Sequence, residues 1–84
     1  MSISLTFQCN GKPNKNYSCV NVNDTVGSLI SKYCSEMGIT KSDYTFMTGK
    51  PLGKMESKTI KNAKILNNTI IKVRPVGTAK GGLN

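Results

Sequence analysis

The sequence contains no histidine and no tryptophan, and only 4 of its 84 residues are acidic. Without histidine, the chain lacks the side chain that most often acts as a general base near neutral pH. No serine or cysteine has an evident base beside it that could activate it as a nucleophile. The sequence therefore argues against an enzyme.

Cysteine is scarce and irregularly placed, at Cys9, Cys19 and Cys34. An odd number of widely spaced cysteines is not typical of a disulfide framework. Without a Cys-x-x-Cys pair or a histidine, a structural zinc site has too few ligands, and we expect no metal or other cofactor. Reduced thiols indicate a cytoplasmic or nuclear protein, and the first residues lack the basic and apolar segments of a signal peptide.

Long apolar runs are also missing, since none reaches the ~20 residues that span a bilayer. Hydrophobic residues nevertheless make up 37% of the chain, which is too apolar for a disordered tail. A chain of 84 residues can bury one modest core. We therefore expect one small monomeric domain without a membrane segment.

Basic residues outnumber acidic residues by 12 to 4, which gives a formal net charge of +8. This charge is compatible with an acidic partner, such as nucleic acid, an anionic lipid or an acidic protein face. The charge is explained more simply by lysines that keep a small domain in solution, since net charge alone identifies no partner. Nucleic acid is disfavoured because aromatic residues are few, Phe7 and Tyr33 are predicted to be buried, and no ribonucleoprotein motif is present.

Hydrophobic periodicity predicts four strands and one helix. Ile3, Leu5 and Phe7 alternate with polar residues, which is typical of a half-buried strand, and Asn10-Gly11 follows as a hairpin turn. Three later segments are also rich in apolar residues and are bounded by turn residues. Strands are predicted over 17–22, 44–47 and 69–74, and a short helical turn over 59–64. This order indicates an α+β fold with a helix across one face of a sheet.

The predicted helix covers residues 25–37. Its apolar residues recur at steps of three and four, which places them on one helical face: Val26, Leu29, Ile30, Tyr33, Cys34 and Met37. Asp24 or Thr25 is the expected N-cap, and Gly38 the expected stop. Gly27 is expected to weaken the helix by ~1 kcal/mol relative to alanine.

Over about residues 1–82, the chain resembles ubiquitin and its relatives in several short stretches that follow the same order and spacing. The hairpin turn, the start and end of the helix, a Gly-Lys turn, a later Thr-Ile segment and a diglycine carry the resemblance. These stretches are Asn10-Gly11-Lys12, Val22-Asn23-Asp24-Thr25-Val26, Met37-Gly38-Ile39, Phe46-Met47-Thr48-Gly49-Lys50-Pro51-Leu52, Thr59-Ile60-Lys61-Asn62 and Gly81-Gly82. The resemblance implies a ubiquitin-like β-grasp fold, a mixed sheet of four to five strands with one α-helix across it. It divides the chain into a ubiquitin-like domain over 1–75 and a flexible C-terminal tail over 76–84.

The resemblance also implies that Gly81 and Gly82 form the conjugation tail of a protein modifier. In ubiquitin relatives, the terminal glycine carboxylate is activated, transferred to enzyme cysteines and joined to a lysine of a target protein. Activating, conjugating and deconjugating enzymes are therefore the implied partners. Because Leu83 and Asn84 follow Gly82, a protease is expected to cut between Gly82 and Leu83 first. The stretch 75–80 does not match ubiquitin, so the activating enzyme is not expected to be that of ubiquitin itself.

The same resemblance implies a partner-binding face. Phe46 matches the central residue of the ubiquitin sheet patch, and Lys72 and Arg74 fall beside it, which indicates an aromatic and basic face for acidic ubiquitin-like-binding motifs. A shift of one residue would place Ile71 and Val73 there instead.

Two lysines and several alternative functions complete the expectations. Lys12 and Lys50 match two lysines through which ubiquitin chains are linked, although lysine is abundant enough here for chance to explain both matches. Three other functions stay open. The chain could be a non-conjugated interaction module, a sulfur carrier or a basic nucleic-acid-binding domain.

Overall fold

The computed structural model describes residues 2–76, which form a four-stranded sheet with one α-helix. The elements are β1 (Ser2–Cys9), β2 (Lys15–Asn21), α1 (Val26–Met37), a 3₁₀ turn (Lys41–Asp43), β3 (Tyr44–Met47) and β4 (Thr69–Pro75). The strand order is β2-β1-β4-β3. β1 and β4 are parallel central neighbours, and β2 and β3 pair antiparallel at the two edges. The predicted α+β architecture with a mixed sheet is confirmed.

The ends of α1 follow from capping residues in the sequence. The Thr25 hydroxyl accepts a hydrogen bond from the Ser28 backbone N–H at 3.1 Å, which satisfies one of the unpaired donors of the first turn. Gly38 has φ 69°, the left-handed conformation that commonly ends helices. The helix predicted over 25–37 is thus confirmed to within one residue.

The core lies between α1 and one face of the sheet. Leu5, Phe7 and Cys9 alternate inward along β1, as their period of two predicts. The Phe7 ring stacks on Tyr33 of α1 with a centroid distance of 4.2 Å. Cys34 is 6% exposed, and burial raises the pKa of its thiol, so this cysteine is a small apolar core residue.

The segment predicted as a short helical turn over 59–64 is a series of hydrogen-bonded turns. The Ala63 N–H donates to the Thr59 carbonyl at 2.9 Å, and no regular helix develops from this bond. Lys64 has φ 61°, which ends helical geometry there. Its apolar side chains, Ile60 and Ala63, are buried as expected.

Gly27 allows a loop to close tightly on the start of α1. Its N–H donates to the Glu56 carbonyl at 2.9 Å, and the Val26 N–H donates to the Lys58 carbonyl at 2.9 Å. A Cβ at position 27 would lie 3.1 Å from the Glu56 carbonyl oxygen. The sequence predicted only the local cost of this glycine, whereas the structure shows the close approach that it permits.

The edge strand β2 contains a bulge at Cys19. The pairing passes from Ile3 with Val20 to Leu5 with Tyr17, so β2 has an extra residue. Cys19 is exposed and has φ 59°.

Across the described residues, no helix has the length and apolar character required to cross a membrane.

Candidate functional site

The outer face of the sheet, away from α1, presents alternate residues of β3 and β4. We define it by Thr45, Met47, Ile70, Lys72 and Arg74, all of which are exposed. Strand alternation produces this arrangement, because the residues between them point into the core. The outer face therefore combines two aliphatic side chains with two cations.

Strand pairing brings the members of the outer face into neighbouring positions. Met47 pairs with Lys72, and Thr45 pairs with Arg74. Met47, Lys72 and Arg74, together with Gly49, line a shallow depression of about 500 Å³. An apolar side chain thus lies directly beside two positive charges.

The placement of Phe46 corrects the predicted partner-binding face. Phe46 is only 4% exposed and packs edge-to-face against Phe7, with ring centroids 6.3 Å apart. Its carbonyl accepts a hydrogen bond from the Leu52 N–H at 2.8 Å, which fixes the orientation of β3. Phe46 is therefore a core residue and cannot contact a partner. The neighbouring Met47, which is 37% exposed, occupies the outer position.

Lys72 and Arg74 lie on the outer face, as the first of the two predicted registers places them. The alternative register, with Ile71 and Val73 outward, is wrong, because these residues are 0% and 2% exposed. None of the 4 carboxylates of the sequence lies in a strand. Among residues 2–76, neither Lys72 nor Arg74 forms an ion pair.

One carboxylate is held on the opposite side of the sheet, between β2 and α1. The Tyr17 hydroxyl donates to Glu36 Oε1 at 2.6 Å, and Lys15 Nζ lies 3.6 Å from the same oxygen. The hydrogen bond from Tyr17 lowers the pKa of Glu36, and the neighbouring lysines act in the same direction. Burial and the bond to Glu36 raise the pKa of Tyr17, so its hydroxyl remains a donor.

Lys12 and Lys50 both lie in turns. Lys12 follows β1 in the hairpin, where its N–H donates to the Cys9 carbonyl at 3.1 Å. Lys50 is exposed in the turn after β3. Neither takes part in the ion pairs of residues 2–76, which are Lys15–Glu36 and Lys41–Glu56. Lys12 is half-buried and Lys50 is exposed, and their use as linkage sites stays a prediction.

The residues predicted for conjugation and processing, Gly81, Gly82 and Leu83, lie outside the described residues. The structure gives the point from which the chain continues toward them. β4 ends at Pro75, and the Val76 N–H donates to the Asp43 carbonyl at 2.8 Å.

Within residues 2–76, no group of three or more histidine, cysteine or acidic side chains could hold a metal ion.

Comparison with known proteins identifies the architecture. No protein-family profile and no curated protein matches the sequence. Among solved structures, Caldiarchaeum subterraneum ubiquitin superposes with a TM-score of 0.77 at 14% identity, covering 89% of this chain and 94% of that chain. The chain has the ubiquitin-like β-grasp fold. A structure described as "Molecular Mimicry of SUMO promotes DNA repair" superposes with a TM-score of 0.69 at 20% identity, covering 86% of this chain and 89% of that chain.

The comparisons therefore establish the β-grasp fold. The exposed residues that could bind a partner are identified from this structure alone. Sequence reasoning missed two exposed aliphatic residues, Met47 and Leu66. The alternation of β3 predicts that Met47 is exposed only if Phe46 is assigned to the buried face. A strand of 4 residues is too short for its periodicity to show which face is buried. Leu66 follows the buried Ile65 in an irregular loop, where no periodicity distinguishes inward from outward residues.

Proposed function

We propose that this chain is a ubiquitin-like protein modifier that is joined to lysines of target proteins through Gly82. The observation that supports this proposal is the β-grasp fold of residues 2–76, whose last strand ends at Pro75, a short stretch of sequence before Gly81-Gly82. In this proposal, residues 1–75 form the recognition domain and residues 76–84 the conjugation tail. Cleavage after Gly82 removes Leu83 and Asn84 and frees the glycine carboxylate.

The proposed chemistry needs no catalytic group from this chain. In an activating enzyme, the Gly82 carboxylate attacks the α-phosphate of ATP and releases pyrophosphate. An enzyme thiolate then displaces AMP to form a thioester, and a deprotonated target lysine displaces the thiolate to form the isopeptide bond. Glycine suits this role because the absence of a Cβ lets the backbone enter a narrow catalytic channel. The free thiols of Cys9, Cys19 and Cys34 are consistent with a reducing compartment such as the cytoplasm or nucleus.

A glycine-specific experiment tests conjugation. The full chain with an N-terminal tag is expressed in its native cells, and covalent adducts are followed on denaturing, reducing gels. We expect heavier bands with the unchanged chain and with a chain that ends at Gly82, and none with Gly82→Ala. Gly77→Ala is the matched control, since it changes a glycine outside the diglycine and should keep the bands. Heavier bands that persist in Gly82→Ala would overturn the proposal.

The linkage lysines are part of the same proposal. If Lys12 or Lys50 accepts a second copy, digestion of the adducts should yield a peptide with a Gly-Gly remnant on that lysine. Substitution of both lysines by arginine should then remove only the heaviest bands.

The second candidate function is a non-conjugated interaction module. The exposed outer face, with Met47, Lys72 and Arg74 around one depression, favours it. Partner binding that survives Gly82→Ala and is lost in Lys72→Glu, in the absence of any covalent adduct, would support this function in place of the modifier.

A further inference from the structure

A second surface lies at the end of the sheet opposite the end of β4. β1 and β4 are parallel, with Leu5 opposite Thr69, so both strands start at this end. β4 is 7 residues long, which places this end about 20 Å from Pro75 at ~3.3 Å per residue. A ligand bound here would not obstruct the chain where it leaves β4.

This surface contains an apolar pocket of about 300 Å³, which we call the Leu66 pocket. Its apolar walls are Ile3, Val22, Ile65 and Leu66. Leu66 is 70% exposed, more than the other exposed large hydrophobic residues of the described chain, Met47, Ile70 and Val76. A concave apolar surface with a few polar groups at its edge is typical of a binding site.

Hydrogen bonds hold the walls of the Leu66 pocket in place without a ligand. The Thr69 hydroxyl accepts from the Leu66 N–H at 3.2 Å and donates to the Leu66 carbonyl at 2.7 Å. The loop is tied to β1 because the Ser4 N–H donates to Asn67 Oδ1 at 2.7 Å and the Asn68 N–H donates to the Ser4 carbonyl at 2.7 Å. A ligand therefore meets a preformed surface, which lowers the ordering cost of binding.

The lining of the Leu66 pocket carries one positive charge, that of Lys61. Lys61 lines the pocket, and the exposed Lys64 follows in the same series of turns. Neither belongs to the two ion pairs of residues 2–76. The pocket lining contains no carboxylate, and Asp24, which is close to Val22 in sequence, lines the groove between β2 and α1 instead. The rim therefore complements negative charge.

We propose that the Leu66 pocket binds a segment of a partner protein that inserts one apolar side chain and places a carboxylate beside Lys61. A volume of about 300 Å³ suits a side chain better than a membrane, which requires a long apolar face to enter. The apolar contact supplies affinity, and Lys61 supplies charge complementarity and register. This docking is separate from the conjugation proposal and does not depend on Gly82.

An NMR titration tests the docking. The ¹⁵N-labelled full chain is titrated with a synthetic peptide in which Leu-Phe is flanked on both sides by Asp-Glu. We expect the amides of Ile3, Val22, Lys61 and Leu66 to shift first. Leu66→Ser should weaken binding about tenfold. Lys61→Glu should also weaken binding, and this loss of affinity should become smaller as the salt concentration is raised.

Matched controls lie on the outer face. Ile70→Ser removes another exposed aliphatic side chain, and Lys72→Glu makes the same charge change as Lys61→Glu. Both should leave unchanged the affinity that is read from the amides of Ile3, Val22, Lys61 and Leu66, since binding of the acidic peptide to the outer face is read separately from the amides of β3 and β4. A peptide with Gly-Ser in place of Leu-Phe should not bind. Equal weakening by the outer-face variants, no shift at millimolar peptide, or shifts caused by phosphatidylserine vesicles and not by the peptide would each overturn the proposal. The amide spectrum of each variant shows whether it is folded.

Discussion

At the scale of single residues, Glu36 connects the edge strand β2 to α1. Its carboxylate accepts a short hydrogen bond from Tyr17, and this bond is the largest cause of its lowered pKa. A carboxyl group whose pKa is lower in the folded state stabilises the protein above its unfolded pKa, about 4.3 for glutamate. That contribution is lost as the pH falls below this value and through the lowered folded pKa.

The resulting prediction concerns thermal stability in acid. We expect the Tm of the unchanged protein to fall as the pH drops below about 4, and Glu36→Gln to make this decline shallower while lowering Tm at neutral pH. Differential scanning calorimetry at a series of pH values measures both effects. Asp43→Asn is the control, because Asp43 has no side-chain hydrogen bond or ion pair among residues 2–76. Identical pH profiles for Glu36→Gln and the unchanged protein would contradict the role assigned to Glu36.

The orientation of Phe46 shows where residue-level reasoning reaches its limit. Motif matching placed Phe46 outward, but a strand of 4 residues offers only two positions on each face. Its register is set by contacts outside the strand, such as the pairing of Phe46 with Val73 of β4 and the packing against Phe7. Such contacts have no local signature in the sequence.

At the scale of elements, the start of α1 and the loop 54–58 stabilise one another. The loop carbonyls of Glu56 and Lys58 accept the N–H groups of Gly27 and Val26, which are among the unpaired donors of a helix start. Lys41 Nζ lies 2.6 Å from Glu56 Oε1 and ties the same loop to the 3₁₀ turn. Glycine at position 27 is therefore a tertiary requirement.

This contact predicts that Gly27→Ala destabilises the protein. Alanine gains about 1 kcal/mol of helix propensity, but its Cβ would lie 3.1 Å from a backbone carbonyl that is bonded to the same residue. We expect the crowding to outweigh the gain, with a net loss of about 1 kcal/mol measured by urea unfolding. Ser31→Ala, on the exposed side of α1, is the matched control and should stabilise by a few tenths of a kcal/mol. If Gly27→Ala were more stable than the unchanged protein, the prediction would be wrong. The loop 54–58 would then move away from the added Cβ at little cost in free energy.

Elements with a clear period were predictable, and irregular elements were not. β1 and α1 have apolar residues at periods of two and 3.6 over 8 and 12 residues, and their positions were predicted closely. The turns over 59–64 and the bulge at Cys19 depend on positive φ values at Lys64 and Cys19. Non-glycine residues rarely adopt this conformation, so the residue types gave no warning of it.

At the scale of the whole molecule, the fold and the proposed functions rest on different parts of the chain. The order of the elements and the ubiquitin-like stretches predicted the β-grasp fold, which superposition confirms. The diglycine was recognised as a motif but lies outside the described residues. The Leu66 pocket arises only when the start of β1 and the loop 61–67 come together, so it could not be predicted from either segment alone.

The final prediction concerns the net charge of +8. The two ion pairs of residues 2–76, Lys15–Glu36 and Lys41–Glu56, are partly exposed, and such pairs contribute about 0–1 kcal/mol each. Repulsion among the remaining cations acts over the whole domain at low salt, whereas the Debye length is only about 10 Å at 0.1 M salt. Folding concentrates this repulsion, so screening should favour the folded state.

We therefore expect Tm to rise as NaCl is increased from a few millimolar to about 0.1 M, by about 4–8 °C for each kcal/mol of repulsion removed. Lys72→Glu combined with Arg74→Glu lowers the net charge by four, from +8 to +4, and should make the rise shallower. Ile70→Ser changes the same face without changing the charge and should keep the full slope. A Tm that falls with salt would contradict this prediction. It would mean that attraction in the two ion pairs contributes more to stability than the repulsion among the other cations costs.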